Sequence, residues 1–134
     1  MKTALLVIDV QNDFCPGGAL QVAGGNEIIT GINQEMTKYD YIVLTQDWHP
    51  KGHSSFATSH DGGNPLDVIE MPYGDQVLWP DHCVQGSFGA EFHYFYFVPR
   101  RPRDMALEEV YLASPQQQRV CVLCSSFGRG DCGD

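Results

Sequence analysis

Tyr41-Ile42-Val43-Leu44-Thr45-Gln46-Asp47-Trp48-His49-Pro50-Lys51-Gly52-His53 is the stretch on which the reading of this chain turns. Its apolar start, residues 41–44, has the pattern of a buried strand. In extended backbone, side chains two apart point the same way, so Asp47 and His49 leave the strand end side by side. A carboxylate and an imidazole so placed suit a divalent ion. His82, in Trp79-Pro80-Asp81-His82-Cys83, is a candidate third ligand. Two ligands from one strand end and one from a distant loop leave coordination positions open, the pattern of a catalytic site. Asp-x-His alone is a weak signal, because histidine is often only a polar residue near a surface. Its weight comes from the rest of the chain.

Upstream, residues 3–8 form a continuous aliphatic run, expected as a strand covered on both faces of a parallel sheet. Asp9 follows, where open α/β sheets place their ligand crevice. Gln11-Asn12-Asp13-Phe14-Cys15-Pro16-Gly17-Gly18 is a polar loop rich in turn formers. Asn26 is the expected cap of a helix whose Ile28, Ile29, Ile32 and Met36 share one stripe. The strand at 41–44 then closes a right-handed β-α-β unit with parallel strands, which puts Asp9 and Asp47 on one edge of the sheet. Downstream, residues 50–89 read as a long loop of glycine, proline, serine, histidine and aromatics. A loop this long is usually functional, and it holds His53, His60, Trp79 and His82.

Composition narrows the class. A chain of 134 residues is one domain by length, and 43% apolar with 19% charged residues is a globular balance. A net charge of −9 argues against nucleic acid, whose binders carry basic patches. No apolar run approaches the length of a membrane span. Residues 1–9 read as a first strand, not as a secretory leader. The expectation is therefore a cytoplasmic protein with its five cysteines reduced.

Four motifs occur in order: Asp9-Val10-Gln11-Asn12-Asp13-Phe14, Asp47-Trp48-His49-Pro50, His53-Ser54-Ser55-Phe56 and Trp79-Pro80-Asp81-His82-Cys83-Val84-Gln85-Gly86. With them the chain resembles the nicotinamidases (pyrazinamidases) of the isochorismatase-like hydrolase superfamily, over residues 1–93. The resemblance implies a three-layer α/β/α fold with a parallel sheet, here truncated, and hydrolysis of nicotinamide to nicotinic acid and ammonia in NAD salvage. It implies Asp9 as the catalytic carboxylate, a general base acting on a cysteine nucleophile. It makes Asp47, His49 and His82 the ligands of a divalent metal, zinc first and iron or manganese after it. Phe14 and Trp79 are expected to flank the substrate ring, although aromatics are more often core. His53 matches a position that is a ligand in some members only and is expected beside the ligands.

Residues 94–134 depart from the pattern. The family pattern implies a lysine beyond residue 93 and a cysteine in a Gly-Leu-Ala-Thr-Asp-Tyr-Cys-like motif. After Lys51 this sequence has no lysine, and Cys121, Cys124 and Cys132 stand in no such context. All five arginines lie in the tail, and the acidic excess lies wholly before it. The expectation is a reading frame shifted after His93, a foreign tail with a short helix at 105–112 and a strand at 120–123, and no amidase activity as given. Two other readings stay open, a non-catalytic binder of metal and nicotinamide, and a hydrolase of another small amide or ester. Loss of one sheet edge predicts poor solubility, or rescue by homo-oligomer formation.

Overall fold

The computed structural model describes residues 1–93 in full and, by backbone alone, two strands at 105–110 and 118–125. The glycine-rich end with Cys132 lies outside the described residues. In chain order the elements are β1 (Ala4–Ile8), α1 (Ile28–Glu35), β2 (Tyr41–Asp47), β3 (Val68–Met71), β4 (Gly74–Val77), β5 (Met105–Val110) and β6 (Gln118–Ser125).

β1 and β2 pair in parallel, Ala4 with Tyr41 through Ile8 with Thr45, as an aliphatic β-α-β unit should. The α/β class stands. The sheet is mixed, however. β6 adds antiparallel to the other side of β2 and β5 antiparallel to β6, giving the order β1-β2-β6-β5. The helix expected at 105–112 is corrected here. Its described part, Met105–Val110, is a strand, because pairing with β6 overrides the helix preference of Met, Ala, Leu and Glu.

One face of the β1/β2 pair is packed. Val7, Ile42 and Leu44 join Ile29, Met36, Val10 and Cys15 in a single buried cluster, with Leu5 and Ile32 against it. α1 is short and carries Gly31 and three isoleucines, so packing rather than intrinsic propensity holds it. Two expectations about it change. Its N-cap is Glu27 without a side-chain bond, not Asn26, and Ile28 turns to solvent while Ile29 is buried.

The other face of β1 is not covered as expected. Leu6 and Ile8, alternating with Val7, are 56% and 62% exposed. β2 runs three residues further than its apolar start, so Asp47 is the last strand residue.

The long loop contains a hairpin. β3 and β4 pair antiparallel around Pro72-Tyr73, with Met71 opposite Gly74 at φ +117°. Proline at the first turn position and glycine in a left-handed one are the usual chemistry of such a reversal. Among the described residues, no helix is long and apolar enough to cross a membrane.

Candidate metal centre and its carboxylate

The site begins with Gln11. Its side chain is completely buried and bridges the ends of the two parallel strands. The amide oxygen accepts from Asp47 N at 2.8 Å, and the amide nitrogen donates to the carbonyls of Asp47 and Ala90, each at 2.8 Å. This acts as an extra rung of the ladder and fixes the backbone that aims Asp47. Gln46 donates to the same Ala90 carbonyl at 2.8 Å.

His82 reaches Asp47 because its loop is stitched to the strand end. His49 N donates to the Cys83 carbonyl at 3.0 Å, and Gln85 N to the His49 carbonyl at 2.8 Å. The far side is tied by Trp79 N to the Ser55 carbonyl and Ala57 N to the Trp79 carbonyl, both 2.8 Å. Phe56, fully buried, sets its ring edge-on to His49 at 5.3 Å and to His82 at 5.5 Å.

Asp47, His49 and His82 therefore converge. His49 Nε2 lies 2.9 Å from Asp47 Oδ1, and His82 Nε2 lies 3.2 Å from Oδ2. The three residues offer ligand atoms all within 4.8 Å of one another. His82 Nδ1 donates to the Pro80 carbonyl at 2.7 Å, which leaves Nε2 to face the cluster. Burial alone would raise the Asp47 carboxyl, but hydrogen bonds from His49 and His82 outweigh it and hold it at about 2. Burial would lower His82, and the bonds to Asp47 and the Pro80 carbonyl reverse that and raise it. Two imidazoles thus face one carboxylate, and His49 Nδ1 is buried without a partner. A donor set of one carboxylate and two imidazoles, with an orphaned buried nitrogen, fits a divalent cation.

Asp47, His49 and His82 line a cavity of about 300 Å³ together with Asp9, Ser55, Gln76 and Trp79. Asp9 ends β1 in a left-handed conformation, φ +52°. Its carboxylate accepts from the Thr45 hydroxyl at 2.6 Å, and its N–H points at Thr45 as well. Strain of this kind at a cavity mouth is a common mark of function.

Of the two aromatics expected around a substrate, Trp79 lines the cavity. Phe14 does not line it, and its ring instead lies 5.8 Å from that of His82. His53 stacks on His49 with 4.6 Å between centroids and holds the Ser55 hydroxyl through Nδ1 at 2.7 Å.

Gln11, Ser55 and Gln76 were missed by sequence reasoning. Only Gln11 carried a signal, a polar residue set directly beyond an apolar strand. Cys15 and Cys83 are free and buried, and burial pushes both thiols up.

A β-α-β unit with acidic and imidazole groups gathered beyond its strand ends defines an α/β protein with a crevice site at the carboxyl edge of its sheet. No family model matches the chain. Nicotinamidases do. That of Acinetobacter baylyi is 61% identical over 90 residues, which is 67% of this chain and 42% of that protein. That of Escherichia coli is 43% identical over 94 residues, 67% of this chain and 44% of the other.

Among solved structures, the Acinetobacter baumanii nicotinamidase/pyrazinamidase superposes with a TM-score of 0.69 at 54% identity, over 72% of this chain and 46% of that one. The pyrazinamidase of Pyrococcus horikoshii in complex with zinc gives 0.52 at 42% identity, over 69% and 45%. Over its first two thirds, the chain belongs to the nicotinamidase/pyrazinamidase family. It spans less than half the length of the relatives it matches.

Proposed function

We propose that this chain carries the metal-binding and carboxylate half of a nicotinamide-hydrolysing site, and that residues 94–134 are foreign in sequence to that family although β5 and β6 join the sheet. The observation that supports this best is the convergence of Asp47, His49 and His82 beside Asp9 in one cavity. A divalent cation, zinc first with iron or manganese after it, would be held by those three residues. When bound it supplies a Lewis acid that orients a ring nitrogen or a water.

Asp9 would take the proton of a nucleophile, its second oxygen steadied by Thr45. Trp79, with Phe14 behind His82, would bound the aromatic ring of the substrate. Nicotinamide, the amide the family's name specifies, is the substrate class that fits. The chain's acidity speaks against nucleic acid as a partner. On this reading the protein works in cytoplasmic recycling of the NAD pyridine ring, with self-association through the open side of β1.

A second reading is favoured by one observation: the described thiols, Cys15 and Cys83, are both buried, and burial pushes both up, away from the thiolate form a nucleophile needs. On that reading the chain holds metal and nicotinamide without cleaving the amide, or serves another small amide or ester. The test is zinc titration followed by ammonia release. Wild-type protein should bind zinc, His49→Ala and His82→Ala should lose it, and no ammonia should form from nicotinamide. Turnover abolished by Asp9→Ala would reinstate a complete amidase; a wild type blind to zinc would sink both readings.

The same titration has a pH signature. Because His82 is protonated up to above the ordinary imidazole range, the cation must displace its proton at lower pH. Affinity should rise by up to about tenfold per pH unit and level off once His82's raised pKa is passed. A flat profile from pH 5.5 to 8 would remove His82 from the ligand set.

A further inference from the structure

Cys83 sits at the centre of the stitching just described, and it is an unusual residue to find there. Its backbone is left-handed, φ +46°, a conformation a non-glycine residue holds only when its surroundings enforce it. Its carbonyl binds His49 N at 3.0 Å, and its chain neighbour is His82. One bond therefore fixes two metal-ligand candidates at once.

What holds Cys83 is Asp13, 70 residues earlier in the chain. Asp13 Oδ2 accepts from Cys83 N at 2.7 Å, and Oδ1 accepts from Ala19 N at 3.1 Å. The Asp13 carbonyl also accepts from Leu20 N at 3.0 Å, which pins the loop that carries the carboxylate. Gly89 and Gly18 close over Asp13 so tightly that a Cβ at either would collide with it. The carboxylate is thus wedged in one orientation and shared between two backbone donors.

We propose that Asp13 is a positioning residue for the Asp47, His49 and His82 cluster, fixing His82 and His49 through the Cys83 backbone without touching a bound cation. This rests on the metal reading above. Its chemistry is that of a side-chain oxygen accepting from a strained backbone donor, a role that an amide oxygen can also fill. Removing it frees Cys83 to leave the left-handed region and lets His82 drift from Asp47.

The test uses Co²⁺, whose visible absorption reports ligand geometry, titrated into the whole chain in competition with a chromophoric chelator. Asp13→Ala should weaken Co²⁺ binding by about 10- to 100-fold, the usual consequence of losing an outer support, and should change the absorption band. Asp13→Asn keeps one amide oxygen for Cys83 N, while the exposed Ala19 N–H turns to water. It should stay within about threefold of wild type.

Wild-type affinity and spectrum in a folded Asp13→Ala overturn the proposal. Equal losses in Asn and Ala overturn it too, because charge at a distance would then be the cause. Unfolding of both variants makes Asp13 a residue of the fold alone and also overturns it. Wild-type protein that takes up no Co²⁺ fails earlier, at the metal reading itself.

Discussion

One face of the β1/β2 pair and the C-terminal ends of its strands are held by opposite means. Beside α1 the side chains of Val7, Ile42 and Leu44 fasten the strands in an apolar cluster. At their C-terminal ends the fastening is almost wholly polar: Gln11 across to Asp47, Asp13 to Cys83, Thr45 to Asp9. Apolar burial is non-directional and scales with area, whereas a buried hydrogen bond tolerates little misplacement. The first kind of fastening sets whether the chain folds. The second sets where the side chains that line the cavity point once it has.

Three substitutions sharpen that contrast, in falling order of effect on stability. Leu44→Ala opens a cavity under α1 and should destabilise by about 2–5 kcal/mol in urea unfolding, with cation affinity of the folded fraction unchanged. A parallel loss of affinity would show that core and site are not separable.

Gln11→Met keeps the volume but strips the amide, so Asp47 N and the Asp47 carbonyl lose this partner and the Ala90 carbonyl is left with Gln46 alone. It should cost about 1–3 kcal/mol and weaken zinc binding as well, because Asp47 loses its backbone support. Stability lost with affinity intact would break the proposed division.

Leu6→Thr, on the exposed face of β1, should change stability by no more than about 0.5 kcal/mol while raising solubility in a precipitation assay. A loss above 1 kcal/mol would mean that this face is covered in solution.

Legibility of the sequence followed the same divide. The aliphatic runs at 3–8 and 41–44 have a pattern that any parallel pair must show, so β1, β2 and the shared edge of Asp9 and Asp47 could be read directly. The convergence of His82 could be suspected from residue type, but not placed, because it depends on bonds from Cys83 and Gln85 to His49. Polar supports have no periodicity, which is why Ser55 and Gln76 were invisible and Gln11 showed only as a polar residue beyond an apolar run.

The hairpin carried a readable turn, Pro72 followed by Gly74, yet its flanking strands are four residues each and expose much of their surface. Strand β5 was misread for a different reason. Its residues prefer a helix locally, and only the partner strand reverses that preference.

The candidate ligands come from a strand end and from a loop far along the chain, and nothing in an extended polypeptide brings them together. A cation gripped by that trio has no equal purchase on the unfolded chain, so its free concentration becomes a thermodynamic variable of folding. At a hundred times its dissociation constant it would add about 2.7 kcal/mol to the native side, comparable with a buried leucine. Chelators would then act on this protein as mild denaturants.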